Sequence, residues 1–348
     1  MRRTVSILLL MITCAVRAQD THWEFAIGGE YMVTGYSLAS PHNASGTGLE
    51  VTWLRRMEGD ACWVRMRHHP SVGLRLGLGI TPQGISGNRI GVTPVLRTPL
   101  SAWLDLDLGL GVSVYSRPSF VSHDTANVYI STPATWLIDV GLVAHLDERS
   151  HVALKLLHSS NGNMRRPNRG LNYLNLEVGM ALGKDFYEYK KEPGCAFNPW
   201  HEVGVMVAPS LAFSRHATQQ GLFFCYDVSL NYEYRRTPLW GVGASVDLWY
   251  NFSYAWQVSV YHDRYTFPMY MGAMPFVEFY WGALSVKGGV GVTLLASNRV
   301  SGPVYERLGV YYNFGDCYAG IGINAHYGQA EFVEWSFGYR LKPRAFEF

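Results

Sequence analysis

Large aliphatic side chains alternate with glycine and charged residues at a period of two along much of this chain. From Val72 one set reads Val72, Leu74, Leu76, Leu78, Ile80 and the other Gly73, Arg75, Gly77, Gly79. Residues 104–114 repeat the pattern, with Leu104, Leu106, Leu108, Leu110, Val112 and Val114 set against Asp105, Asp107, Gly109, Gly111 and Ser113. Successive side chains of a strand point to opposite faces, so each run predicts a strand with one apolar and one polar wall. A soluble sandwich alternates too, but its water-facing wall is rich in Lys and Glu. Glycine on the polar wall predicts the narrow, crowded interior of a barrel.

Composition narrows the class further. The 348 residues include 36 Gly, 22 Tyr, 16 Phe and 11 Trp, and only 16% are charged. Aromatic and glycine enrichment at low overall hydropathy fits strands that show lipid one face and a polar lumen the other. A net charge of +2, with no concentrated basic stripe, excludes a nucleic-acid partner. The spacings of Cys62, Cys195, Cys225 and Cys317 contain no CxxC pair, so neither a metal nor another cofactor is expected; disulfides are permitted in an exported chain, but their pairing is not readable. Arg2 and Arg3 before the apolar run Ser6–Val16, with Ala18 ahead of Gln19, predict a signal peptide over residues 1–18. Beyond it no apolar run reaches the roughly 20 residues a helical span needs.

Eight strands are expected in the first half, near 22–34, 46–56, 70–80, 88–97, 101–115, 134–146, 150–160 and 171–184. Short turns fall at Thr98-Pro99 and Asp147-Glu148-Arg149, and longer links at 36–45, 116–133 and 161–170, the alternation of an outer-membrane barrel. The link 57–69 breaks that rule. A polar stretch, 185–199, then joins residues 19–184 to a second, diverged copy at 200–348: Gly91-Val92-Thr93-Pro94 before Leu110-Gly111-Val112 is matched by Gly272-Ala273-Met274-Pro275 before Val290-Gly291-Val292. The expected fold is all-β: an antiparallel outer-membrane β-barrel of two repeated halves, as tandem eight-stranded barrels or, alternatively, one barrel of about sixteen strands. The closing Ala345-Phe346-Glu347-Phe348 resembles the terminal aromatic signal of such barrels, and the expected location is the outer membrane of a Gram-negative bacterium.

Polar residues interrupt the apolar register at one place. On strand seven the outward set Val152, Leu154, Leu156 continues into His158 and Ser160, and on strand eight Leu182, Met180, Val178, Leu176, Leu174 continues into Asn172. Three polar side chains are thus expected together on the outer surface near one end of adjacent strands. Unpartnered polar groups facing hydrocarbon cost several kcal/mol in order of magnitude. His and Ser two apart on a strand share a face with Cβ atoms roughly 6–7 Å apart, close enough for an imidazole to reach a hydroxyl.

The run His158-Ser159-Ser160-Asn161-Gly162 followed by Pro167-Asn168-Arg169-Gly170-Leu171-Asn172 closely resembles the lipid A deacylase family, also called acyloxyacyl hydrolases. That resemblance implies an eight-stranded outer-membrane barrel that hydrolyses an acyl ester of lipid A without a cofactor. It makes Ser160 the nucleophile and His158 the general base, with Asn161 and the backbone N–H of Gly162 as oxyanion donors. Such a nucleophile, base and donor set is what attack on an ester carbonyl requires. The third member departs from the family pattern, since Asn172 stands where the family has an acidic residue. An amide can orient the imidazole but adds no charge, and the acid-to-amide change in a serine protease cost about 10⁴ in rate. Glu177 has the wrong parity to substitute. In the second half His326 is followed by Gly328 where a serine would be needed, and the register Ala319, Ile321, Ile323, Ala325 puts His326 on the lumen side, so that copy is expected to be inert. His68-His69 reads as a polar strand end rather than a metal site, and Asp105, Asp107 and Arg75 as mutually neutralising lumen charges.

Overall fold

The computed structural model describes residues 21–34, 43–119, 127–165, 168–182, 189, 194–213, 222–253, 268–295 and 303–341. The expected signal peptide, the terminal Phe348 and about half of the expected linker lie outside them. The chain divides into two compact units, each containing one closed eight-stranded antiparallel barrel. The first comprises β1 (Thr21–Thr34), β2 (Ala44–Arg56), β3 (Ser71–Ile80), β4 (Arg89–Pro99), β5 (Leu104–Tyr115), β6 (Ala134–His145), β7 (Ser150–Ser160) and β8 (Leu171–Leu182). The second comprises β9 (Trp200–Phe213), β10 (Leu222–Arg235), β11 (Trp240–Asn251), β12 (Met269–Trp281), β13 (Leu284–Leu295), β14 (Val304–Phe314), β15 (Cys317–His326) and β16 (Gln329–Leu341). β8 returns to β1, from Trp23 opposite Leu182 to Thr34 opposite Leu171, and β16 returns to β9. These two seams replace the β8–β9 and β16–β1 pairings that a single sixteen-stranded barrel would require.

The first eight strands follow the alternation closely. β4 runs on through Thr98 and Pro99, which pair with Leu106 and Asp105, so the turn is 100–103 rather than Thr98-Pro99. Between β6 and β7 the Asp147 carboxylate accepts the N–H groups of Arg149 and Ser150, each at 2.7 Å, which holds its pKa below the ordinary carboxylate value. The long link 57–69 contains one short helix, α1 (Cys62–Met66), and Met57 N–H donates to the Pro70 carbonyl at 2.9 Å to draw its ends together. His68 and His69 lie in this connection and not at a strand end, both with left-handed φ near 57°. His68 pairs with the Tyr189 hydroxyl at 3.0 Å, and His69 Nδ1 meets the Met57 carbonyl at 3.1 Å.

The two walls differ as the pattern demands. Leu76 is 53% exposed on the outer wall of the first barrel while its neighbour Arg75 is 2% exposed in the lumen. Arg75 binds the carboxylates of Glu50, Asp107 and Asp139. Lys155 joins Glu50 to Glu177, and Arg97 joins Asp107 to Glu24. Asp105 belongs to a different pair from the one expected, bonding His145 at 2.8 Å. Lumen glycines make room for this network: a Cβ on Gly79 would stand 2.5 Å from Glu30 Oε1, and one on Gly141 2.7 Å from Lys155 Cγ. Mutual pairing offsets the desolvation of these charges.

The second lumen is filled by different means. Arg307 binds Asp227, Asp247 and Glu334, and Arg340 binds Glu278 at 2.7 Å. Buried aromatics close the rest, with Trp249 edge-on to Tyr305 and Tyr311 edge-on to Tyr318. No disulfide joins Cys62, Cys195, Cys225 or Cys317, and no helix among the described residues is long and apolar enough to cross a membrane.

Candidate active site

At the long-loop end of the first barrel, β7 carries His158 and Ser160 and the adjacent β8 carries Asn172. The ladder sets His158 directly opposite Asn172 on β8 and opposite Ile138 on β6, with Ser160 opposite Trp136. His158 Nδ1 lies 2.8 Å from Asn172 Oδ1. An amide oxygen can only accept, so with Oδ1 facing the ring Nδ1–H is the donor, and in a neutral imidazole Nε2 then keeps its lone pair. The hydrogen bond therefore selects the tautomer a general base needs.

Strand parity separates the two serines. Ser159 belongs to the lumen wall, where its hydroxyl lies 3.3 Å from that of Ser113. Ser160 shares the opposite wall with Leu154, Leu156 and His158. Exposure along that wall falls from 62% at Leu156 to 5% at Ser160, so the serine is recessed, whereas the sequence pattern alone suggested a fully surface-facing cluster. The next residue is tied to loop residues that the alternation could not reveal. Asn161 is held by two bonds: its backbone N–H donates to Asn168 Oδ1 at 3.0 Å, and its side-chain amide donates to Ser131 Oγ at 3.0 Å. Ser131 and Asn161 are each 1% exposed. Asn168 sits in the motif already quoted, but Ser131 comes from the loop after β5 and carries no sequence signal. Gly162 takes a left-handed φ of 65°, a conformation that suits glycine at the start of this loop.

Glu177 is excluded as a third member. It is 1% exposed in the lumen and its carboxylate lies 2.7 Å from Lys155 Nζ. Asn172 is the residue that the fold presents to His158.

In the second barrel the equivalent position is built differently. β15 and β16 are joined by the two-residue turn Tyr327-Gly328, both with positive φ, the geometry of a tight hairpin. His326 is 5% exposed in the lumen, with Nδ1 2.7 Å from Glu331 Oε2. The strand thus reverses where β7 continues into the loop 161–170.

Two family models match the chain. The model described as lipid A 3-O-deacylase (PagL) matches residues 47–181, and the one described as acyloxyacyl hydrolase, C-terminal domain, matches residues 201–343. Among solved structures, the outer membrane enzyme PagL is similar at 14% identity and a TM-score of 0.32, over 45% of this chain and 97% of that one. OpdK of Pseudomonas aeruginosa, solved with vanillate, is similar at 10% identity and a TM-score of 0.27, over 93% and 99%. A mutant Rh. blastica porin is similar at 8% identity and a TM-score of 0.20, over 92% and 99%. No curated protein matches the sequence. Each barrel thus carries a match to one family model, the first to lipid A 3-O-deacylase (PagL) and the second to the acyloxyacyl hydrolase C-terminal domain.

Proposed function

We propose that the first barrel is an outer-membrane serine esterase that removes an ester-linked acyl chain from lipid A or a related membrane lipid. The observation that carries this reading is the His158–Asn172 hydrogen bond across one rung of the β7–β8 ladder, with Ser160 two residues along the same wall. Ser160 Oγ attacks the ester carbonyl as His158 Nε2 takes its proton. His158 then returns that proton to the leaving sugar oxygen, and water releases the fatty acid by the reverse sequence. Asn161 and the Gly162 N–H are the oxyanion donors in this scheme, with the Asn161 side chain held in place by its bond to Ser131. A site on the outer wall suits a substrate that stays in the bilayer, with the loop end toward the cell surface.

In this scheme residues 1–18 are the signal peptide, 19–184 the hydrolase barrel, 185–199 a linker and 200–348 a diverged repeat. The two fourth strands support duplication. In β4 the ladder to β5 skips from Val92 to Val95 across Pro94, and in β12 the ladder to β13 skips from Ala273 to Phe276 across Pro275.

A second reading follows from Asn172: a structural or lipid-binding barrel whose hydrolase has decayed. The two are separated by mass spectrometry of lipid A and phospholipids from cells expressing the wild type, Ser160→Ala or Asn172→Glu. Loss of an acyl chain with wild type but not Ser160→Ala supports the esterase; deacylation seen only with Asn172→Glu supports the decayed enzyme.

A further inference from the structure

The imidazole of His158 is bounded by a glycine. A Cβ placed on Gly170 would stand 2.7 Å from His158 Cε1 and 3.3 Å from Nε2, and Gly170 itself has φ 73°. Contacts under 3 Å force something to move, and the nearest movable group is the ring. Asn172 holds only Nδ1, and the histidine χ2 torsion is soft, so one hydrogen bond leaves the ring free to pivot about it. The Gly170 backbone is the wall that limits that pivot.

Gly170 is itself held. Its N–H donates to the Tyr129 carbonyl at 3.0 Å, and Arg169 N–H donates to the Val128 carbonyl at 3.3 Å. Residues 127–131 form a strap that is anchored in turn. Asn127 Oδ1 accepts the N–H groups of Tyr129 and Ile130, each at 3.2 Å, and its Nδ2 donates to the Arg117 carbonyl at 3.0 Å. Ile130 and Asn127 are fully buried, and Ile130 packs with Tyr129 among Met32, Tyr115 and Leu137. The strap ends at Ser131, which accepts the Asn161 amide beside Ser160. One hydrogen-bonded segment therefore reaches both Gly170 and Asn161.

We infer that the strap 127–131, acting through Gly170, positions the His158 ring relative to Ser160; this rests on the hydrolase reading above. Gly170 is a positioning residue, and its lack of a side chain is what lets the ring sit where Asn172 can hold it. Misplacing a reacting group by about 1 Å costs on the order of 10² in rate, so a side chain at residue 170 should lower kcat about 10²-fold while leaving KM nearly unchanged.

The test uses the full chain folded in detergent micelles, with Gly170→Ala, Gly170→Asn and Asn127→Ala compared with wild type for kcat and KM on purified lipid A. The His158 ¹³Cε1 resonance, assigned by its loss in His158→Gln, is followed in parallel. Asparagine tolerates left-handed φ but carries the same Cβ as alanine. Both Gly170 variants should lose kcat and shift the resonance, and Asn127→Ala should lose kcat in the same direction. Recovery of wild-type kcat in Gly170→Asn would assign the effect to backbone strain and overturn the inference. An unmoved resonance in Gly170→Ala would overturn it as well. The resonance needs no turnover, so a wild type that cleaves no ester defeats the hydrolase reading while the ring test still decides this one.

Discussion

Ser159 and Ser160 are neighbours in sequence and stand on opposite walls of the first barrel, one bonded to Ser113 in the lumen and the other on the wall of His158. Ser160→Ala should abolish deacylation, and Ser159→Ala should leave it close to wild type. Acyl profiles of lipid A from cells expressing each variant check this; equal loss in both would break the assignment of walls.

The amide of Asn172 orients His158 but offers no negative charge to an imidazolium. Asn172→Glu should therefore raise kcat, by less than the ~10⁴ lost on acid-to-amide replacement in a serine protease, where the wrong tautomer accounts for the loss. Asn172→Leu removes the acceptor and should lower kcat below wild type. Steady-state rates in micelles decide both.

Arg75 binds three carboxylates at 2% exposure. Arg75→Met would leave Glu50, Asp107 and Asp139 sharing one fewer cation. Breaking a buried pair costs about 3–5 kcal/mol, so the midpoint of urea unfolding in detergent should fall clearly. Combining Arg75→Met with Asp107→Asn and Asp139→Asn should recover part of the loss, because the orphaned charges go with the cation.

Both lumens are filled by side chains. Liposomes containing the wild type should therefore retain sugars, measured by the absence of swelling in an iso-osmotic sugar solution. Swelling at a porin-like rate would contradict the packing described for both barrels.

His326 faces the lumen beside Glu331, and the chain turns at Gly328. His326→Gln should leave lipid deacylation by the first barrel unchanged. A fall in that rate, measured on folded protein, would show that the second unit contributes to the chemistry.

The strands were readable because a period of two is imposed by backbone geometry and does not depend on neighbours. The outward set Leu154, Leu156, His158, Ser160 and the inward parity of Glu177 came from that rule alone. Choosing two barrels over one was harder, since closure depends on which strand β8 meets and nothing in Leu171–Leu182 names Thr21–Thr34 as its partner. The link 57–69 was opaque for a related reason, because a short helix followed by two left-handed histidines has no periodic signature. At the site, His158, Ser160 and Asn172 were visible as a break in the apolar register. Ser131 and the strap were not, because contacts between loops obey no repeat.

Closure of both sheets also limits how this molecule can meet other proteins. Strand pairing runs β1 through β8 and back, and β9 through β16 and back, so neither sheet ends in an unsatisfied ladder. A visitor cannot dock by adding a strand, the commonest route by which sheets recruit peptides or aggregate. Any complex it enters has to be read out by side chains on its apolar belt or its loops, and backbone templating is closed to it.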